Sequence, residues 1–154
     1  MATIRRMRLS DLPAVMAIEV DNYLDPWQDE MFYQEIKFGT AFVLEEALSS
    51  QILGYVCGIQ VLDEFSLTNI SVKKDYQNRG FGFQLLEYVL ARLIADSCKY
   101  CYLEVRVSNT KAVSLYEKFG FEKIGIRKGY YSNPIEDAYL MRLELTNTIK
   151  RRVK

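Results

Sequence analysis

The segment whose residue spacing is most specific for ligand chemistry is Gln77-Asn78-Arg79-Gly80-Phe81-Gly82, between a strand-like run ending near Val72 and an amphipathic helical run. Its two glycines let the backbone approach a ligand closely. A helix that begins here leaves its first amides without intrahelical partners and places the positive end of its dipole at the same spot, which favours a bound pyrophosphate. Arg79 could add a charge-assisted contact. The segment predicts a phosphate-binding loop, although an ordinary glycine turn before a helix has the same spacing.

Two better-known phosphate motifs do not fit this loop. A P-loop needs Gly-Lys followed by Ser or Thr, and the sequence has no such triplet. A dinucleotide-binding fingerprint needs a third glycine where Leu85 stands. Both nucleotide-binding classes are therefore disfavoured.

Two further side chains could transfer protons. Glu104 lies at the centre of an alternating strand and shares a face with Tyr102 and Arg106. A polar residue on a solvated strand face gives the same pattern. Tyr116 shares a helical face with Phe119, a position where most tyrosines are core residues. The pattern alone leaves a catalytic and a structural interpretation open for both residues.

The composition removes several kinds of chemistry. The 154-residue chain has no histidine, which excludes Ser-His-Asp hydrolases, Cys-His proteases and zinc sites with imidazole ligands. Its three cysteines are one short of a Cys-only structural zinc site, so we expect no metal. Cys98 and Cys101 form a C-x-x-C motif that closes a helix and begins a strand, whereas a redox motif opens a helix after a strand.

The charge distribution bears on partners and location. Twenty basic and twenty acidic residues cancel, but Lys150, Arg151, Arg152 and Lys154 all lie in the last five positions. The rest of the chain is therefore acidic, and we expect no specific nucleic-acid partner. No apolar run predicts a membrane span or an export signal. Because the odd cysteine count resembles no secreted disulfide framework, we expect a cytoplasmic protein.

The elements that must position these residues follow from periodicity. From Gly82 onward apolar residues recur at helical spacing, and a strand follows, so a strand-helix-strand crossover should contain a parallel pair. We expect a mixed α/β, or α+β, fold in three layers: a central, mostly antiparallel mixed sheet of about seven strands with helices on both faces. One domain should cover residues 1–146, before a basic tail at 147–154. The predicted strands are Thr3–Arg8, Thr40–Glu46, Ile52–Leu62, Phe65–Lys73, Tyr100–Val107, Phe121–Lys128 and Asp137–Leu145, and the predicted helices run from Ser10 as N-cap to Val20, over Glu30–Lys37, from Gly82 and over Asn109–Phe119.

With this element order, the Gln-x-x-Gly-x-Gly loop resembles the acyl-CoA pyrophosphate loop of the Gcn5-related, or GNAT, N-acetyltransferases. The resemblance covers roughly Ile4 to Leu145. Asp25-Pro26-Trp27 followed by Phe32 resembles the RimI type, which acetylates the N-terminal alanine of a small-subunit ribosomal protein. The latter half is equally similar to the NatA catalytic subunit of archaea and eukaryotes, although the Leu-Pro-Glu-Asn-Tyr of the NatA substrate loop is not matched. The stretches that resemble protein N-terminal acetyltransferases are Leu67–Val72, Leu103–Asn109, Ala112–Phe121, Tyr130-Tyr131 and Glu136–Ala138.

The resemblance implies an acetyl-CoA-dependent acyltransferase that modifies the α-amine of a protein N-terminus by direct attack on the thioester, without a metal. It assigns Glu104 as the proton acceptor and Tyr116 as the proton donor to the leaving thiolate. Asn109 would cap its helix and bind the cofactor, and a strand amide would be the oxyanion donor. The implied cofactor-binding residues are Ile70, Ser71 and Val72 for the pantetheine and thioester and Gln77, Asn78, Arg79, Gly80, Phe81, Gly82 and Phe83 for the pyrophosphate, while Tyr23, Trp27, Tyr130 and Tyr131 would line the peptide entrance.

The identity of the acceptor amine depends on proton chemistry. An α-amine with a pKa of ~7.7 to 8.0 is neutral in roughly one molecule in five to ten at pH 7, and a lysine at ~10.4 in about one in 2,500. Acetylation of a protein N-terminus therefore needs a weaker catalytic base than acetylation of a lysine. Two alternatives stay open: acetylation of a small amine or an internal lysine, and an acetyl-CoA-binding module without turnover, for which Glu104 and Tyr116 would be unnecessary.

Overall fold

A computed structural model of the chain describes residues 1–145. In that range lie seven strands, four α-helices and two short 3-10 turns, at Leu9–Asp11 and Lys74–Tyr76. None of these helices is long and apolar enough to cross a membrane. The strands are β1 (Ala2–Arg6), β2 (Thr40–Glu46), β3 (Ile52–Val61), β4 (Glu64–Val72), β5 (Tyr100–Arg106), β6 (Glu122–Ser132) and β7 (Ile135–Glu144), and the helices are α1 (Leu12–Asn22), α2 (Asp29–Phe38), α3 (Phe81–Ala95) and α4 (Thr110–Phe119).

The sheet has the strand order β1-β2-β3-β4-β5-β7-β6. The pairs β1/β2, β2/β3, β5/β7 and β6/β7 are antiparallel. Residues 64–66 of β4 pair in parallel with residues 100–102 of β5. A parallel pair needs a crossover connection, and α3 supplies it. The predicted α+β class, with a mixed and mostly antiparallel seven-stranded sheet, is confirmed.

The chain packs as two compact units, of which the first comprises Met1–Ile59 and Thr68–Val89. Side chains of β2 alternate between two faces, as a strand requires. Phe42 makes an edge-to-face contact with Tyr88 of α3, with 5.1 Å between ring centroids. Val43 joins a buried cluster formed with α1 and α2. Helices therefore cover both faces of these strands. The cluster contains Met7, Val15, Ile18, Phe32, Ala41, Val43, Ile52, Tyr55 and Cys57.

The second unit comprises Gln60–Leu67 and, among the described residues, 90–145. Strand β5 alternates between buried residues and half-buried ones, so Leu103 and Val105 face the core while Glu104 lies on the opposite face. Helix α4 buries Val113, Tyr116 and Phe119, which are three residues apart. Strand β6 lies at the edge of the sheet and is exposed along almost its whole length.

Two sequence expectations about element ends were wrong. Ser10 does not cap α1, because Leu9–Asp11 forms a 3-10 turn in which the Asp11 carboxylate accepts from the Arg8 amide at 2.7 Å. Strand β6 continues past Lys128 to Ser132, because Gly129, at φ +59°, sits in a register shift and does not end the strand. The predicted tail, residues 147–154, lies outside the described residues, and the single-domain boundary remains a prediction.

Candidate active site

The predicted phosphate loop has an unusual backbone. Asn78 and Gly80 adopt positive φ values of 65° and 85° on either side of Arg79. A Cβ at Gly80 would meet no atom within 4 Å, so conformation and not crowding selects glycine there. The first bond of the α3 ladder runs from the Gln84 amide to the Gly80 carbonyl at 3.0 Å. The amides of Phe81 and Gly82 precede that ladder, which is the arrangement that suits an anion.

Side chains tie this exposed loop to its surroundings. The Gln77 amide group donates to the Val72 carbonyl at 2.9 Å, which joins the loop to the end of β4. The Arg79 guanidinium lies 5.1 Å from the Tyr76 ring centroid. Tyr76 in turn contacts the ring of Phe81 at 6.4 Å. Gln77 therefore has an anchoring contact, while Arg79 stays at the loop surface, where a phosphate group could reach it. Phe83 is exposed at the start of α3.

Side chains at the end of α1 and directly after it hold the last three residues of β4 through hydrogen bonds. The Tyr23 hydroxyl donates to the Ile70 carbonyl at 2.8 Å. The Asn22 amide group donates to the Ser71 hydroxyl at 2.5 Å and to the Val72 carbonyl at 2.9 Å. These bonds fix the segment that was predicted to bind the pantetheine and the thioester.

The Val72 carbonyl accepts two hydrogen bonds, from Asn22 and from Gln77. A carbonyl oxygen has two lone pairs, so its capacity is filled. Backbone amides, and not this carbonyl, are what the end of β4 can offer to an acyl group. An amide is the group that an oxyanion requires.

Glycine at position 54 lets β3 and β4 approach each other closely. A Cβ at Gly54 would lie 2.7 Å from the Ser71 carbonyl oxygen and 3.4 Å from the Val72 Cα. Both atoms belong to the backbone, so they could not yield without moving the strand. The sequence pattern did not reveal this role, because Gly54 lies in an otherwise ordinary strand.

Glu19 is a buried carboxylate in α1, 2% exposed. It accepts hydrogen bonds from the Tyr55 hydroxyl at 2.6 Å, the Asn69 amide group at 2.9 Å and the Trp27 backbone amide at 2.9 Å. Burial, and then the bond to Glu19, raise the pKa of Tyr55 far above its usual range. Three donors thus offset the cost of burying the charge.

The two aromatic residues predicted to line the entrance in the first unit differ in placement. Tyr23 is 39% exposed as a residue, but its hydroxyl group donates to a carbonyl of β4. Burial of that hydroxyl raises the pKa of Tyr23 to about 12. Trp27 packs against the core cluster, with its ring centroid 5.0 Å from that of Phe32. Its side chain therefore fills space beside the core, and its role toward a peptide remains a prediction.

In the second unit, Glu104 faces a cation that the sequence did not identify. Its side chain is 26% exposed, and its Oε2 lies 3.6 Å from Nε of Arg127 on β6. The expected neighbour, Arg106, is engaged elsewhere: it donates to the carbonyls of Asn133 and Pro134, each at 3.0 Å, and pairs with Glu136 at 3.2 Å. Arg106 therefore holds the β6-β7 hairpin, and Arg127 supplies the charge beside the predicted base.

Tyr130 and Tyr131 lie in that hairpin. Their rings meet edge to face with centroids 5.0 Å apart, and Arg106 stacks over Tyr131 at 4.2 Å. Half of Tyr130 is exposed. Its pKa is raised by partial burial and then by the charge of Glu104, against the opposing effect of Arg127. Glu104, Arg127 and Tyr130 are therefore close together.

Helix α4 places the other two predicted residues. The Asn109 side chain accepts from the Ala112 amide at 3.1 Å, which confirms its predicted capping role. Tyr116 is 6% exposed, and its ring contacts Phe121 edge to face at 5.7 Å. Both the core interpretation and the proton-donor interpretation of Tyr116 are compatible with this placement.

Sequence reasoning missed the buried residues Glu19 and Glu35 and the partly buried Asn22. A signal existed in α1, because Val15, Ile18, Glu19 and Asn22 follow a helical stripe in which two polar residues stand at apolar positions. Charged residues on a core face usually mark a hydrogen-bonded network.

The cysteines are all free and buried. Burial raises the pKa of Cys57, Cys98 and Cys101, which disfavours the reactive thiolate. The Cys98 thiol donates to the Asp63 carbonyl at 3.1 Å. Among residues 1–145 no group of side chains is arranged to hold a metal ion.

Comparisons with known proteins agree with the fold. Residues 12–121 match the Acetyltransferase (GNAT) family. The ribosomal protein bS18-alanine N-acetyltransferase of Salmonella typhimurium is 35% identical over 149 residues, covering 95% of this chain and 99% of that protein. An N-alpha-acetyltransferase of Saccharolobus solfataricus is 30% identical, covering 90% of each chain.

A solved structure gives the same picture. The ribosomal-protein-S18-alanine N-acetyltransferase from Escherichia coli superposes with a TM-score of 0.87 at 35% identity, covering 94% of each chain. The family match spans well over half of the sequence. The chain therefore belongs to the GNAT family of acetyltransferases.

Proposed function

We propose that this protein transfers the acetyl group of acetyl-CoA to the α-amine of a protein N-terminus, with an N-terminal alanine of a ribosomal protein as the preferred acceptor. The observation that carries the proposal is the run from Ile70 to Gly82. Side chains hold the end of β4, and the left-handed loop that follows opens onto the first amides of α3. That sequence of features suits an extended acyl-pantetheine arm that ends in a pyrophosphate.

The cosubstrate fits the residues present. Phosphate oxygens would accept from the amides at the start of α3, with Arg79 as an added cation. The acyl-pantetheine arm would lie along Ile70–Val72. The thioester carbonyl oxygen is a hydrogen-bond acceptor, so the strand group that would receive it is a backbone amide, which donates.

The reaction then needs one proton acceptor and one proton donor. The neutral amine nitrogen attacks the thioester carbon, and the carbonyl oxygen becomes an oxyanion that a β4 amide stabilises. Glu104 takes the proton released by the amine nitrogen, directly or through water. As the carbon–sulfur bond breaks, the Tyr116 hydroxyl protonates the CoA thiolate, so the products are an N-acetyl amide and CoA.

The acceptor class rests on the relatives. Two of them, at 35% identity, are named for the alanine of ribosomal protein bS18, and the archaeal relative is named only an N-alpha-acetyltransferase. An α-amine is also the acceptor that needs the weakest base, and Glu104 is a partly buried carboxylate, 26% exposed. A lysine acceptor would need a stronger base, because its neutral fraction is several hundredfold smaller.

The test is mass spectrometry of peptides incubated with the protein and acetyl-CoA. One set should differ only at the first residue, with alanine, serine, methionine or proline, and one should carry a blocked N-terminus and an internal lysine. We expect acetylation of the free α-amine, fastest for alanine. Modification of the lysine alone would contradict the proposal, and so would binding of acetyl-CoA without modification of any peptide.

A further inference from the structure

The two oxygens of the Glu19 carboxylate bind different segments of the first unit. Oε1 accepts from Asn69, which directly precedes the Ile70–Val72 segment of β4. Oε2 accepts from the backbone amide of Trp27, in the connection between α1 and α2. One buried side chain thus joins the strand proposed to bind the thioester to the connection predicted to lie at the peptide entrance.

The surroundings of Glu19 make this junction rigid. The Tyr55 hydroxyl makes a second bond to Oε1, from the fully buried centre of β3. The carboxylate is buried, so losing any one donor would leave its charge poorly compensated, at a cost in free energy. That cost favours the state in which all three hydrogen bonds are formed. Asn22 and Tyr23, one helical turn further along α1, bind the next three residues of β4.

We infer that Glu19 is a positioning residue for acetyl transfer: it fixes the acyl-binding end of β4 relative to the α1–α2 connection, and it touches neither substrate itself. This inference rests on the proposed function. A displacement of about 1 Å between reacting groups can cost roughly a hundredfold in rate. The contribution of Glu19 should therefore appear in kcat, and not only in stability.

The chemistry of the three bonds indicates which substitution is informative. All three partners present donors to Glu19. A glutamine at position 19 has one acceptor and one donor end, so at least one partner would face a donor. If its oxygen keeps the Trp27 amide, its NH₂ group must face both Tyr55 and Asn69; the Tyr55 hydroxyl can turn to accept, whereas the Asn69 amide group would face another donor. A carboxylate at position 69 would then restore the missing acceptor.

The experiment compares Glu19→Gln with the double variant Glu19→Gln/Asn69→Asp. Peptide acetylation is measured at a temperature where circular dichroism shows each variant folded, with acetyl-CoA affinity measured by calorimetry. Asp21→Asn is the matched control, because Asp21 lies on the same helix in an exposed ion pair with Lys74, which contributes little to stability. We expect Glu19→Gln to lower kcat roughly ten- to a hundredfold with little change in acetyl-CoA affinity. The double variant should recover most of that loss.

A Glu19→Gln enzyme as fast as wild type would overturn the inference, and so would a double variant no faster than the single one. A wild-type protein that acetylates no peptide would instead overturn the proposed function. In that case hydrogen exchange still decides the structural part: Glu19→Gln should accelerate exchange of the amides in residues 69–72 and 24–28, and unchanged exchange would refute it. Should Glu19→Gln not fold, Asn69→Ser removes a single bond to the carboxylate and must lower kcat in the same way.

Discussion

The Nε atom of Arg127 on β6 lies 3.6 Å from Oε2 of Glu104 on β5, and both charges act on Tyr130. The two charges have opposite effects on the Tyr130 hydroxyl. The Glu104 carboxylate disfavours the phenolate of Tyr130, and the Arg127 guanidinium favours it.

This arrangement predicts opposite shifts in the Tyr130 titration. Glu104→Gln should lower the pKa of Tyr130, because it removes a negative charge, and Arg127→Gln should raise it, because it removes a positive one. The measurement is NMR of tyrosine labelled with ¹³C at Cζ, with Tyr130→Phe to assign the signal and Lys118→Gln as a control for charge removal elsewhere. Shifts in the same direction for both variants would contradict the geometry.

The position of Arg127 shows which feature the sequence did not predict, namely the ion-pair partner of Glu104. Alternation along β5 correctly placed Glu104 on the half-buried face, since period two is a local property. The partner of Glu104 depends on the register of β6, which shifts between Lys123 and Gly125 and again between Arg127 and Tyr131. Such shifts leave no periodic signal, so the sequence indicated Arg106 instead.

The sequence predicted correctly those features that depend only on residues close together in the chain. The capping role of Asn109 and the crossover through α3 were predictable from neighbouring residues alone. The polar position of Glu19 in the α1 stripe was visible in the sequence, but its partners and the role of Gly54 were not, because both depend on β4, which is distant in sequence. A buried hydrogen-bond network or a close strand approach requires the tertiary fold.

Kinetics separate the proposed acid and base from residues that only bind. Glu104→Gln should lower kcat by about 10²-fold or more, the usual contribution of a general base, with little loss of acetyl-CoA affinity. Tyr116→Phe should lower kcat as well, because the thiolate would leave unprotonated. Steady-state rates and calorimetry check both, with Glu122→Gln on exposed β6 as the control. If Glu104→Gln loses affinity and not rate, its role is structural; unchanged turnover in Tyr116→Phe removes it as the donor.

The close approach of β3 and β4 at Gly54 predicts that adding one methyl group there, as alanine does, destabilises the protein. Gly54→Ala places a Cβ 2.7 Å from the Ser71 carbonyl, so β4 must move, at an expected cost of about 1–3 kcal/mol in unfolding free energy. Acetyl-CoA affinity should fall too, because the displaced segment is the one proposed to bind the acyl arm. Gly125→Ala is the matched control, since a Cβ there meets nothing within 4 Å. Equal effects of the two variants, by denaturant titration and calorimetry, would rule out the crowding argument.

The environment of Glu35 predicts that the unfolding free energy of the protein depends on pH. It is 5% exposed, and Oε1 accepts from the Thr68 hydroxyl at 2.7 Å while Oε2 has no hydrogen-bond partner. Burial raises the pKa of this carboxyl above 4.5, so the folded protein keeps the proton to higher pH than the unfolded chain. Its stabilising contribution is complete below the unfolded pKa and is lost as pH rises through the folded pKa.

Glu35→Gln should therefore remove this loss. Its unfolding free energy should fall less than that of wild type between pH 5 and pH 8, as measured by urea titration at each pH. Glu30→Gln, at an exposed position of the same helix, should leave the wild-type slope unchanged. A wild-type slope in the Glu35 variant would assign the pH dependence to other groups.

The burial of Cys57, Cys98 and Cys101 has a practical consequence for all of these measurements. A thiol-reactive dye added to the folded enzyme would find no accessible thiol on the polypeptide, since each cysteine is buried and burial raises its pKa. The colour that develops during turnover would then report only the thiol of released coenzyme. The rate of the native enzyme can therefore be measured continuously without replacing its cysteines.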